Sequence, residues 1–329
     1  MELKGKALFN LLRLNFAEDP SMKVSPWQVE NYCALSDQEL YKRLAKLGVA
    51  MDAELFLVYA ESSETPEDLA DCLWLNEEDS IGQDQAYLLL FELWRRMLPD
   101  RKTISIFCDE LDSLIEQFDR GDFQNDEKIQ EMLTELEDIL DQAADQGGDP
   151  KEIFKTFCDF CAHELPSFLY DYIAEQIDQE NELYASELLD GFHEFLIDEK
   201  CFDFLRAQLF ASTGPEEANV MFHNILENLR EEKDKELLFE IVRYLVRHGD
   251  APIFMQAVRQ LLAELKTEAE FQELVALVAE YYRCLDKEEE EKAVQKILVD
   301  RSGKALSQPL DPSDRGLRSI AEFIKFSKA

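Results

Sequence analysis

Cys158-Asp159-Phe160-Cys161-Ala162-His163 is the densest group of chemically able side chains in this chain of 329 residues. Two thiols three residues apart share a helix face, and with His163 and a distant ligand such as His193 or Cys201 they could complete a tetrahedral zinc site. Structural zinc sites ordinarily bring a second close ligand pair, and none is present. A redox Cys-x-x-C needs the start of a helix, where the local field lowers the thiol pKa. Here the pair falls inside an expected helix, on the apolar face that carries Phe154 and Phe157. The spacing therefore predicts buried, unreactive thiols. Cys158, Cys161, His163 and His193 are the metal candidates the chain offers, none of them favoured, and no cofactor is expected.

The other catalytic patterns fare no better. A di-metal centre in a helical bundle wants two Glu-x-x-His motifs, and the nearest approach, Asp190-Gly191-Phe192-His193, occurs once. No phosphate-binding glycine loop and no nucleophile elbow is visible. The chain is expected not to be an enzyme. The alternative is a helical-bundle enzyme with a metal or small ligand between its helices.

Two groups of residues could bind rather than react. Arg243 and Arg247 lie one helical turn apart, with Arg259, Tyr281 and Tyr282 on neighbouring helices; together they could grip an acidic or C-terminal peptide group. Their competing role is surface pairing with Glu240 and Glu264. Glu131, Glu135 and Asp138 follow one another at helical spacing on the outer face of an amphipathic helix, and could dock a cationic partner or simply be solvated. Eleven acids face two bases, Arg120 and Lys128, between residues 119 and 149. Neither acidic loop there has the calcium-binding spacing around a central glycine.

These groups must be placed by helices. Apolar residues recur at gaps of three and four throughout, most cleanly in Ile253, Phe254, Ala257, Val258, Leu261, Leu262 and Leu265. Only Thr103-Ile104-Ser105-Ile106-Phe107 alternates like a strand, too short a stretch to change the class, and it can equally enter a helix capped near Asp109. Residues 2–17 are expected as one helix with Leu3, Ala7, Leu8, Leu11, Leu12 and Phe16 inward. Capping signals at Ser36, Asp52 and Thr65 open further short helices. From Lys151 onward helices begin every 15 to 20 residues through Leu298, which predicts about nine of them and a hairpin period of helical-repeat size. The tetratricopeptide and ankyrin signatures are missing.

The expected fold is all-α. A compact N-terminal helical domain (1–118) leads through an acidic amphipathic helix and linker (119–149), with Gly147-Gly148-Asp149-Pro150 as the boundary. An α-solenoid-like array of antiparallel helix hairpins follows (150–300), HEAT- or TPR-like in general architecture but with no family signature. A linker and a C-terminal amphipathic helix (301–329) end the chain.

Charge bears on partners. The net charge is −37, and it sits between nearly neutral ends: seven Lys/Arg against six Asp/Glu in residues 1–48, and six against four in 300–329. Such a body repels nucleic acid and anionic membrane and attracts cations. Seven scattered cysteines fit reduced thiols, and no segment reads as a signal peptide or membrane span, so the expected location is cytoplasmic. The expected function is that of an adaptor, chaperone or scaffold binding a basic protein partner through acidic helix faces or the array groove.

Overall fold

Local punctuation sets most helix ends. The computed structural model describes residues 3–74, 78–121, 127–196, 199–311 and 313–326. Its first helices are α1 (Ala7–Glu18), α2 (Asp37–Lys46), α3 (Ala53–Glu61), α4 (Pro66–Leu73), α5 (Ser80–Met97), α6 (Ile104–Asp119), α7 (Glu127–Asp145) and α8 (Pro150–Phe160). They continue with α9 (Leu165–Asp178), α10 (Glu182–Gly191), α11 (Glu199–Thr213), α12 (Pro215–Glu232), α13 (Lys235–His248), α14 (Ala251–Glu264), α15 (Glu268–Cys284), α16 (Glu288–Val299) and α17 (Arg315–Phe326). The protein is all-helical among its described residues, and its one pairing of β type is an isolated bridge between Thr267 and Pro309. Side chains of Ser36, Asp52, Thr65, Thr103 and Asp234 each accept a first-turn backbone N–H, a contribution of roughly 1 kcal/mol apiece. No described helix is long and apolar enough to cross a membrane.

The stretch Thr103–Phe107 enters helix α6, with Thr103 itself as the cap rather than a residue near Asp109, and Ile106, Phe107, Leu111 and Ile115 are buried at helical spacing. Tertiary burial of that stripe outweighs the β-branched alternation. The first helix begins at Ala7, because Gly5 takes a left-handed turn (φ +56°) and the Lys4 N–H bonds the Asp159 carbonyl at 2.7 Å. Its inward residues are Ala7, Phe9 and Asn10, while Leu8 is 47% exposed. Residues 122–126 of the expected acidic segment, with Asp122 and Asp126, lie outside the described residues.

Contacts divide the chain into two units, Met1–Asp171 with Glu194–Ile197, and Tyr172–His193 with Asp198–Ala329. The first is organised on α5, where every residue from Ala86 to Trp94 is buried. A helix apolar on all sides belongs inside a core, and α2 and α4 pack upon it. Phe56 of α3, Leu40 and Leu44 of α2 and Leu69 of α4 complete that core. Helix α6 touches α1, α7 and α8. The expected boundary at Gly147–Pro150 is therefore the turn between α7 and α8 inside this unit, with Gly147 at φ +95°.

In the second unit consecutive helices pair: α11 with α12, α13 with α14, α15 with α16. Alternate helices also meet, α11 with α13, α12 with α14 and α13 with α15, and α17 packs on α14. The inward stripes are those visible in the sequence, for example Phe254, Ala257, Val258 and Leu261 of α14.

Candidate functional site

The first unit holds a cleft of about 490 Å³ between α1, the turns at residues 28–33, and helices α6 and α7. Phe9, Tyr32, Leu88, Leu114 and Met132 give it apolar walls. Five bases (Lys6, Arg13, Arg95, Lys102, Lys128) and five acids (Glu30, Asp109, Glu110, Glu131, Glu135) also line it, so its interior is electrically balanced.

Beneath the walls lies a buried polar network. Asp109, Asp112 and Glu92 are 8%, 1% and 2% exposed. Lys6 Nζ donates to both oxygens of Asp109 at 2.8 Å, and Arg95 lies 3.6 Å from the same carboxylate. Asn10 Nδ2 bridges the pair, donating to Asp109 at 2.9 Å and to Asp112 at 3.3 Å. Asp112 accepts from the backbone N–H of Ala162 at 2.9 Å and of His163 at 3.1 Å, and lies 3.1 Å from His163 Nδ1. Glu92 accepts from Arg95 and, at 2.6 Å, from Arg96. Charge-assisted bonds of this kind are what make a buried carboxylate tolerable. All three carboxylates are therefore occupied in holding helices together.

The rim differs. Lys102 reaches Glu135 at 2.9 Å and Glu110 at 3.0 Å. Burial lowers its pKa, but these two carboxylates outweigh that and raise it above the usual lysine value. Arg95 Nη2 donates to Cys33 Sγ at 2.6 Å on the cleft wall. Arg13 Nε is buried without a hydrogen-bond partner. Glu131 and Asp138 are exposed, with no ion pair among the described residues. The acidic face expected on α7 thus forms one edge of the cleft, with Asp138 one turn beyond Glu135.

The remaining sequence candidates fall elsewhere. Arg243 pairs with Glu273 at 2.5 Å, and Arg247 lies 3.6 Å from Glu280, so both reach across from α13 to α15 rather than to Glu240 and Glu264. Both arginines are more than half exposed, and such pairs contribute a few tenths of a kcal/mol. Tyr281 and Tyr282 are core side chains, 2% and 1% exposed, and Tyr281 stacks on Phe254 with centroids 3.8 Å apart. They are removed from the binding surface. Their rings complete the apolar α15 stripe of Phe271, Leu274, Val275 and Val278, as the periodicity of the sequence has it. Arg259 is exposed beside a second groove, lined by Leu262, Leu265, Leu310, Leu317 and Arg318.

Cys158 lies within α8, but Cys161 is the residue that ends it. Both are buried, and Cys161 sits against Cys108. Burial pushes the Cys158 thiol up to about 12, with the neighbouring Cys161 adding to it. Contact with Cys108 and burial likewise raise Cys161. His163 is engaged by Asp112, and among the described residues no three His, Cys, Asp or Glu side chains are arranged to hold a metal ion. The thiolate is the reactive form. Brief iodoacetamide treatment of native protein at pH 8 is therefore expected to modify exposed Cys33, Cys72 and Cys284 and spare Cys108, Cys158 and Cys161, all of which react in urea. Peptide mapping reads this directly, and native labelling of Cys158 at the rate of Cys72 would contradict it.

Lys6, Asn10, Arg13, Asp109 and Asp112 were not legible as a site. One signal existed: Glu92 within the apolar run Leu88-Leu89-Leu90-Phe91-Glu92-Leu93-Trp94. No protein-family model, curated protein or solved structure matches this chain.

Proposed function

We propose that this is a non-catalytic binding protein whose partner is a protein presenting a cationic segment along α7, at the edge of the cleft. One observation carries the reading. Glu131, Glu135 and Asp138 share a helix face, two of them line the cleft, and Glu131 and Asp138 have no ion pair among the described residues. The field of a −37 chain draws cations toward such a face. The pairing of α11 through α16 supports reading the second unit as a stack of hairpins of α-solenoid type, a scaffold for a further contact. Seven free cysteines support a reducing, cytoplasmic setting.

Selection from a random peptide library tests the proposal. Lys/Arg-rich peptides are expected to enrich and to weaken with salt. The double variant Glu131→Gln/Asp138→Asn is expected to bind them about tenfold less tightly, as two partly screened charge pairs imply. Enrichment of neutral peptides, or equal binding by the variant, would overturn it. A second reading has one observation behind it: about 490 Å³ with apolar walls is the size of a small-molecule pocket. A metabolite that copurifies with the protein and is lost on substitution of Leu114 by Trp would favour that reading.

A further inference from the structure

We infer that the outward face of α3 is a docking surface for an amphipathic partner helix whose apolar stripe is flanked by lysine and arginine. The inference rests on the cationic-partner reading and gives it a second, apolar point of contact.

Helix α3 has nine residues and buries two of them, Phe56 and Ala60, both at 0% exposure. Four large apolar side chains on the same short helix face water: Leu55 at 37%, Leu57 at 39%, Val58 at 60% and Tyr59 at 40%. Scattered exposed apolar residues are ordinary, whereas a contiguous group rimmed by charge marks a binding surface. Leu55, Val58 and Tyr59 are at spacings of three and four, so they form one ridge pointing away from the core. Glu54 and Glu61, seven residues apart, run as a strip beside it, and Leu57 lies beyond that strip.

The charge around the ridge names the occupant. Residues 47–94 contain twelve Asp/Glu and no Lys, Arg or His. On α3 and its flanks the exposed acids are Asp52, Glu54, Glu61 and Glu64, and on the adjoining α4 they are Asp68 and Asp71. A second copy of the chain would set these carboxylates against one another. The ridge runs along a nine-residue helix only about 13 Å long, too short by itself to bury the ~800 Å² per partner of a stable dimer. An anionic lipid surface meets the same repulsion. A helix with apolar residues at three-and-four spacing packs on Leu55, Val58 and Tyr59, and its basic flanks reach Glu54 and Glu61.

The test uses the full chain and two labelled probes, a 14-residue Leu/Lys amphipathic peptide and its charge-matched Ser/Lys counterpart, read by fluorescence anisotropy. The Leu/Lys peptide is expected to bind at least tenfold tighter than the Ser/Lys peptide. Leu55→Ser/Val58→Ser should abolish that preference, whereas Glu131→Gln/Asp138→Asn, which weakens Lys-bearing peptides in general, should not abolish it. Both positions lie outside the core, and circular dichroism melting confirms the fold; the near-isosteric Val58→Thr gives the same readout with smaller amplitude. An unchanged preference in Leu55→Ser/Val58→Ser overturns the inference. So does sedimentation of wild type as a dimer that this variant dissociates, or α3-dependent binding to phosphatidylglycerol vesicles. If both peptides bind equally and both lose affinity in Glu131→Gln/Asp138→Asn, the cationic-partner reading stands and α3 has no part in it. If neither binds, both fall.

Discussion

Arg301→Ala is expected to release the segment around residues 301–314 from α15 and to cost the second unit about 3–5 kcal/mol, the range for breaking one side of a buried ion pair. Arg301 is 5% exposed. Its Nε donates to Glu268 at 2.6 Å, its Nη2 to the other Glu268 oxygen, and its Nη1 to Asp314 at 2.5 Å. The guanidinium also lies 4.3 Å from the Phe271 ring centroid, so the loss includes packing as well as charge. The segment it anchors has a second task. The first N–H groups of a helix lack partners within it, and the carbonyls of Gln308 and Leu306 accept those of Glu268 and Ala269 at 2.9 and 3.0 Å. Urea unfolding measures the loss, and limited proteolysis near residue 305 should become faster in the variant. Wild-type stability in Arg301→Ala would refute the assignment.

The same cluster gives a pH dependence of known sign. Burial raises the Glu268 pKa, but hydrogen bonds from Arg301 and Gln272 outweigh it and hold the carboxyl below its usual value. Asp314 follows the same pattern, with burial opposed and exceeded by Lys304, Arg301 and the Gly316 N–H. Both carboxyls are depressed in the folded state. Their stabilisation is fully present above the unfolded range of roughly 4 and is lost as pH falls through the folded values. The gap in stability between wild type and Arg301→Ala should thus be widest near neutrality and narrow in acid.

Asp112→Ala carries the comparable expectation for the first unit, a loss of about 3–5 kcal/mol in urea midpoint terms. The 1%-exposed carboxylate terminates two backbone N–H groups, at Ala162 and His163, and one side-chain amide, that of Asn10. Alanine leaves the half-buried Ala162 and His163 N–H groups without that acceptor, and the Asn10 amide keeps only its bond to Asp109. Asp112→Asn keeps one acceptor oxygen and should recover part of the loss. A change under about 1 kcal/mol in the alanine variant, an ordinary surface effect, would show that these bonds are replaceable by water.

Much of the fold was legible because the signals that set it are local. Ser36, Asp52 and Thr65 cap helices where the sequence places them, since a short polar side chain satisfies N–H groups three residues away without help from the rest of the chain. The helix starts from Pro215 to Glu288 follow the same logic. Periodicity alone was less reliable about which side faces in. It put Leu8 inward, whereas the structure turns Phe9 and Asn10 to the core, because Asp109 and Asp112 of α6 supply partners for the amide of Asn10. For Tyr281 and Tyr282 the periodicity was right, since both complete the buried stripe, and it is the binding role that their burial removes. A hydroxyl marks a residue as polar in a list, but a ring stacked on Phe254 is governed by its area.

The helical class, most helix boundaries, the buried character of Cys158 and the acidic stripe that holds Glu131, Glu135 and Asp138 can be read from the chain alone. Each depends on neighbours within a turn or two, where the chain's own geometry decides what meets what. It takes the packing of α1 against α6 to set this stripe at the edge of a cleft with Lys6, Asn10 and Asp109 behind it, residues about a hundred positions apart in sequence. Tertiary packing also decides that Leu55, Val58 and Tyr59, residues of the apolar run 55–60, remain in water. Both outcomes follow from how whole helices rotate to bury their best faces against distant partners, a competition that no stretch of sequence contains alone.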